Sequence, residues 1–280
     1  MDFVLGSGSE PFKDDFKDDE LVDLEIDKFP DGDKYVRIFG DVGDEVTVVQ
    51  STYSPQDEKL MELLLFGDAL RGRGVENLNA VIPYMAYSRQ DRVVEKGEPV
   101  SIRAVANMLN NYFDEYYFFD LHNPKTTRFF SDAENLIPIK SLSNYFNELN
   151  DPLVIAPDKG AIKRAEKLAR QLNADYDYLD KHRISPTEVE MSVHEMDVSG
   201  NEVIIFDDII STGGTMSEAV KLLRDQGADS IHATCTHAFL MEDASKKIKD
   251  AGAKEIVATN TIPHKETNVS IYPEIKKIFE

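Results

Sequence analysis

The sequence predicts an α/β fold in two domains, each a mostly parallel central sheet flanked by helices, and three observations carry that expectation. The chain has 280 residues, and single hydrophobic cores stop growing near about 250, so two domains of ordinary size are expected. Short apolar runs alternate with amphipathic helical patterns along most of the chain. Those runs are apolar throughout rather than every second residue, and Gly, Pro or Asp bounds them, as expected of strands covered on both faces.

Taken in order, EVTVVQ (45–50) precedes the helical pattern SPQDEKLMELLLFGDALR (54–71), and NLNAVIPY (77–84) precedes SIRAVANMLNNYF (101–113). The run YYFFDLH (116–122) follows, then PLVIAP (152–157) with GAIKRAEKLARQL (160–172), and EVIIFDD (202–208) with TMSEAVKLLRDQG (215–227). Between two such blocks NELNDP (147–152) is polar and ends in proline, which places the domain boundary there, giving domains 1–146 and 147–263. The tail PEIKKIFE reads as a last helix within 264–280, and periodicity leaves open which domain it completes. The acidic stretch 13–20 reads as a solvated loop or helix face.

Hydrophobic residues make up 41% and charged residues 30% of the chain, and no apolar run approaches the roughly 18 residues a membrane span needs. No membrane association is expected. The single Cys235 allows no intrachain disulfide and no basic, apolar leader opens the sequence, so a cytoplasmic protein is expected. A formal net charge of −21 repels polyanions and argues against nucleic-acid binding. The acidity also serves solubility, in a salty cytosol among other settings. Anionic small ligands would then need local cations and metal ions.

Parallel sheets bind ligands beyond the carboxyl ends of their strands, and the chemically suggestive residues follow the apolar runs. In VIIFDDIISTGGT (203–215) a strand ending at Phe206 is followed by Asp207 and Asp208, and Ser211, Thr212, Gly213, Gly214 and Thr215 open a helix. Small hydroxyl residues and two glycines allow several backbone N–H groups to converge on one phosphate. The two carboxylates would then face a sugar's hydroxyls or a hydrated cation. The bland alternative is an ordinary helix start capped by Thr212 or Thr215.

In PYMAYSRQDR (83–92), Arg89, Gln90 and Arg92 stand beyond a strand, suited to a polyphosphate or else to surface pairing with Glu95 and Glu98. Asp120 and His122 end another run and suit a metal ion, although a His beside an Asp is commonly a structural hydrogen bond. Asp158 follows a further strand ahead of Gly160. Phe29, Asp31 and Asp33 in FPDGDKYVRI could stack on a base and accept from its amine, or simply form a turn. Lys181 and Arg183 follow a strand in YDYLDKHRISPTEVEM, where a loop that closes would bring positive charge to a phosphoryl transfer.

The stretch 203–215 resembles the ribose-phosphate loop of the type I phosphoribosyltransferases. In this order, YSRQDR, FDLH, PDKG, DKHR and DDIISTGGT resemble the ribose-phosphate diphosphokinases from residue 29 to about 261. The resemblance implies two similar domains of the type I phosphoribosyltransferase kind, with ATP and ribose 5-phosphate as substrates and Mg²⁺ as cofactor. It implies Phe29, Asp31, Asp33, Arg89, Gln90 and Arg92 for ATP, and His122 and Asp158, with Asp120 beside them, for the metal. It implies Asp207, Asp208, Ser211, Thr212, Gly213, Gly214 and Thr215 for ribose 5-phosphate, and Lys181 and Arg183 as the catalytic pair. It further implies a homo-oligomer, at least a dimer, with an ATP site shared across the interface.

Three positions depart from the family's pattern. Ser211 replaces a frequent acid, Ala161 a frequent second glycine, and His182 a frequent arginine. Two other readings stay open at this level: a base phosphoribosyltransferase, which shares the loop but needs no ATP site, and a non-catalytic regulatory subunit that keeps the fold.

Overall fold

The computed structural model describes residues 1–185 and 188–280, with side chains for 1–180 and 192–280. The chain forms two compact units, residues 1–136 with Phe279 and residues 137–278 with Glu280.

The first unit runs β1 (Asp2–Leu5), a 3₁₀ segment (Ser7–Phe16), β2 (Leu24–Lys28), β3 (Lys34–Ile38), β4 (Glu45–Val49), α1 (Gln56–Gly72) and β5 (Asn77–Ile82). It continues with α2 (Ser101–Leu109), β6 (Glu115–Phe119), a 3₁₀ turn (Pro124–Phe129) and β7 (Asp132–Leu136). Its sheet has the order β1-β4-β5-β6-β7, and every neighbouring pair is parallel. The apolar runs are buried on both faces, as Val48, Val81, Ile82 and Phe118 illustrate, and α1 covers them with Leu63, Phe66 and Leu70. The antiparallel pair β2–β3 stands apart as a hairpin. It is tied to α1 by Lys28 on Glu58 at 2.7 Å and Lys34 on Glu62 at 3.0 Å.

The second unit contains α3 (Ile139–Tyr145), β8 (Leu153–Ala156), α4 (Ile162–Leu172), β9 (Tyr176–Ser185), β10 (Glu188–Val193) and β11 (Glu202–Ile210). After it come α5 (Gly214–Asp225), β12 (Ser230–Ala238), α6 (Ala244–Ala251), β13 (Glu255–Thr259), β14 (Thr267–Val269) and α7 (Tyr272–Ile278). The sheet order is β10-β9-β8-β11-β12-β13-β14; only the β9–β10 pair is antiparallel. Alternate residues of β11 feed opposite cores. Val203 and Ile205 pack with Leu223 and Ile248, whereas Ile204 and Phe206 pack with Leu168 and Phe146.

The division between the units falls between Leu136 and Ile137, ahead of the polar NELNDP segment that the sequence suggests. The reason is α3. Its Leu142 and the following Phe146 belong to the second unit's core, so NELNDP is a loop between two elements serving one core. The final helix also belongs to the second unit. Glu274 of α7 accepts from the Ser141 N–H at 2.8 Å and from the Ser141 hydroxyl at 2.5 Å. Only Phe279, beyond that helix, is part of the first unit, its ring centroid 5.7 Å from those of Phe3 and Tyr117. Among the described residues no helix is long and apolar enough to cross a membrane.

Candidate active site

The strand β11 does not stop at Phe206 but runs on to Ile210, through the acidic pair. Its pairing is asymmetric. Against β8 it ends at Ile205, opposite Ile155, whereas against β12 it continues to Ile210, opposite Ala238. Asp207 and Asp208 therefore sit on a strand that has lost one neighbour, where the loop 157–161 replaces β8.

A buried arginine from that side meets them. Arg164, on the first turn of α4, brings Nη1 to 3.4 Å from Asp207 Oδ1 and 3.7 Å from Asp208 Oδ1. Asp207 Oδ1 also accepts the Asp208 N–H at 2.9 Å. Burial, then the charge of Asp208 and a hydrogen bond with it, hold the Asp207 carboxyl well above the usual carboxylate range; Arg164 opposes that shift and Asp158 adds to it.

Beyond Ile210 the loop turns into α5. Gly213 has φ 75° and caps the helix without a side chain, so neither Thr212 nor Thr215 acts as the cap. The first main-chain bond reaching back from the helix runs from the Ser217 N–H to the Gly213 carbonyl at 2.8 Å, which leaves the Gly214, Thr215 and Met216 N–H groups at the positive end of the helix dipole. A Cβ at Gly214 would meet nothing within 4 Å, so the space over this helix start is open. Thr212 and Thr215 are exposed beside it. Ser211 is tethered sideways, its hydroxyl 3.5 Å from Met241 Sδ and its carbonyl accepting the Met241 N–H at 2.9 Å.

Asp158 Oδ1 accepts from the Gly160 and Ala161 N–H groups at 2.8 and 3.3 Å, shaping the loop ahead of α4. Ala161 lies in the ordinary helical region, φ −88° and ψ −8°, so the missing second glycine is no conformational loss. Next to Asp158, Lys159 pairs with Asp180 of β9 at 3.0 Å. The backbones of Lys181 and Arg183 continue β9, opposite Met191 and Val189 of β10, rather than following the strand as the sequence suggests. Their side chains, like that of His182, lie outside the described residues.

In the first unit, Arg89, Gln90 and Arg92 lie on the long connection after β5, and Asp120 and His122 end β6. The structure joins these two segments through the Asn123 amide, which donates to Asp91, and ties Gln90 to the head of α2, where the Ser101 hydroxyl donates to it at 2.5 Å. Arg89 and Arg92 are exposed. The pairing with Glu95 and Glu98 does not form among the described residues; Glu98 instead accepts from the Val94 and Glu95 N–H groups at 2.8 and 2.9 Å. His122 is exposed, while Asp120 is buried with φ 43°. Phe29, Asp31 and Asp33 form the β2–β3 turn, closed by the Phe29 N–H on the Asp33 carbonyl at 2.8 Å. The turn leaves Phe29 51% exposed, edge-on to Tyr35. The hairpin docks on α1.

No group of three or more His, Cys, Asp or Glu residues is arranged to hold a metal ion among the described residues. Mg²⁺ is commonly bound through one or two carboxylates plus substrate phosphates and waters, a mode that needs no such group and that the half-buried Asp158 carboxylate fits.

Residues 16–112 match the family model described as the N-terminal domain of ribose phosphate pyrophosphokinase, and residues 133–274 match the phosphoribosyl transferase domain. The ribose-phosphate pyrophosphokinase of Thermococcus kodakarensis is 51% identical over 280 residues, covering 99% of each chain. The chain belongs to the ribose-phosphate pyrophosphokinase family. Its counterpart in Pyrococcus furiosus is 50% identical, covering 97% of this chain and 98% of that one. Among solved structures, the phosphoribosylpyrophosphate synthetase of Mycobacterium smegmatis superposes with a TM-score of 0.86 at 29% identity, covering 99% of this chain and 96% of that one.

Against this family background one residue had escaped the sequence reading: Arg164. It sits among other cations on a helix that reads as amphipathic. A signal was nevertheless present, because a cation in the first turn opposes the helix dipole and therefore calls for another partner.

Proposed function

We propose that this protein transfers the β,γ-diphosphoryl group of ATP to the 1-hydroxyl of ribose 5-phosphate, giving AMP and 5-phospho-α-D-ribose 1-diphosphate. The observation that carries the reading is the match of both halves of the chain to pyrophosphokinases over nearly their whole length. A base phosphoribosyltransferase has no use for the first half, with its exposed ring at Phe29 and its exposed guanidiniums at Arg89 and Arg92.

In the reaction the 1-hydroxyl oxygen forms a bond to the β-phosphorus as the bond from that phosphorus to the α,β-bridging oxygen breaks; AMP leaves with the electron pair, and the hydroxyl proton is lost. Little covalent assistance is required, because phosphoryl transfer depends on positioning and on neutralising oxygen charge. The backbone N–H groups of Gly214 and Thr215, with the Thr212 and Thr215 hydroxyls, hold the 5-phosphate at the positive end of α5. Asp207 and Asp208 accept from the ribose hydroxyls and so orient the 1-hydroxyl. Phe29 stacks on the adenine, Asp31 and Asp33 accept from its amine, and Arg89, Gln90 and Arg92 bind the polyphosphate.

Asp158 in the second unit, and His122 with Asp120 in the first, are the residues that the family resemblance would have hold Mg²⁺, which would supply charge neutralisation on the transferring oxygens. Lys181 and Arg183 stabilise the same charge from β9. The family resemblance, in which the ATP site is shared across a dimer interface, supports a homodimer or larger assembly. A cytoplasmic location is the setting these substrates suggest.

AMP release from ATP and ribose 5-phosphate, with mass measured in solution, tests the reading. Pyrophosphate release in the presence of a free base and an activated sugar would reverse it. Inactivity alone, coupled with stimulation of another synthase, would favour a regulatory subunit.

A further inference from the structure

Three carboxylates converge at the open end of β11. Asp207 and Asp208 are adjacent on the strand, the second only 5% exposed, and Asp158 adds negative charge from the loop after β8. Cys235 of β12 stands opposite Asp207 in the register. Burying two ionised carboxylates side by side is costly unless a cation accompanies them. The cation here is Arg164, itself 8% exposed, whose Nη1 faces the Oδ1 atoms of both aspartates.

We propose that Arg164 is a positioning residue for ribose binding: it turns the Asp207 and Asp208 carboxyl groups as twin acceptors for the sugar's vicinal hydroxyls. The inference rests on the proposed function. It adds a residue outside the ribose-phosphate loop and from a different element, α4. A guanidinium suits the role because it stays charged when buried, and here its Nη1 alone reaches both carboxyl groups. Since α4 begins immediately after the Asp158 loop, the element carrying the metal candidate also sets the geometry of the sugar acceptors.

The test is calorimetric binding of ribose 5-phosphate to the full-length protein, alongside steady-state kinetics. Arg164→Gln is expected to weaken ribose 5-phosphate binding and raise its KM on the order of tenfold or more, the range for charge-assisted contacts. The KM for ATP should be unchanged and kcat at saturating sugar should remain within about threefold. Arg164→Lys keeps the charge without the fork and should recover part of the affinity; it also carries the test if the glutamine variant does not fold. In an Asp207→Asn background, where one charge is already gone, Arg164→Gln should cost far less than in the native protein.

Equal losses in the two backgrounds, or a fall in kcat with an unchanged sugar KM, would overturn the proposal. So would native-like sugar binding by a folded Arg164→Gln protein. If the native protein itself does not bind ribose 5-phosphate, the proposed function falls with it; if the native protein binds and the variant binds equally, only the role of Arg164 falls.

Discussion

Gly213 and Ala244 lie so close that a Cβ built on the glycine would stand 3.1 Å from the Ala244 Cβ and 3.2 Å from its Cα and carbonyl oxygen. The left-handed φ of 75° at the same residue means that space and backbone conformation both select glycine at the head of α5. Gly213→Ala is therefore expected to destabilise the fold by about 1–3 kcal/mol and to weaken phosphate capture, because the loop must shift. Thermal unfolding and ribose 5-phosphate titration check this together; an unchanged melting temperature would contradict it.

Asp207 trades stability for function. Its folded-state pKa lies above the unfolded value, chiefly through burial, so the ionised carboxylate costs stability at neutral pH and the cost is relieved as pH falls. Asp207→Asn should raise stability by about 1 kcal/mol, within the range of stabilising changes at strained sites. The same change should cut ribose 5-phosphate affinity substantially. Denaturant unfolding at pH 7 and sugar binding measured on one preparation separate the two effects.

Lys181→Ala should lower kcat by roughly 10² to 10³, the usual loss for one transition-state partner, with ATP affinity nearly intact. A kcat equal to that of the native protein removes Lys181 from the catalytic role.

The Tyr145 hydroxyl donates to Glu255 at 2.7 Å, and burial followed by this bond pushes its pKa up to about 12. The stability it contributes is present below the unfolded value of 10.0 and is lost as pH rises towards 12. Tyr145→Phe, which removes the bond to Glu255, should be less stable than the native protein at neutral pH, and the difference should narrow as pH rises. Unfolding midpoints across that range, read beside tyrosinate absorbance, provide the measurement.

A net charge of −21 implies self-repulsion that salt screens. The denaturation midpoint should rise between about 0.05 and 1 M KCl, beyond what the neutral osmolyte sucrose achieves at equal osmolality.

Much of this architecture is legible in the sequence, since runs such as VIIF and LVIA are apolar on both faces and can only be interior strands. The overrun of β11 through Asp207–Ile210 is not, because aspartate is unfavourable in strands and only the continuing partner β12 overrides it. The unit boundary was hidden by α3, too short and polar to announce that Leu142 and Phe146 serve the following core. β9 extends through Lys181 and Arg183 where charge suggested a loop, pairing with β10 as a hairpin. The helix start after residues 211–215 was readable because two glycines and small hydroxyl residues mark a turn between a strand and a helix. Arg164 was obscured because a sequence records a cation without recording which carboxylates it meets.

The ring of Phe279 packs against Phe3, across almost the entire length of the chain. During vectorial synthesis the first unit thus emerges with its own β-sheet complete but with one aromatic position vacant until the second unit has been made. Tyr117, the other neighbour of that ring, would report the moment of closure, giving folding experiments a late step that depends on the far end of the polypeptide.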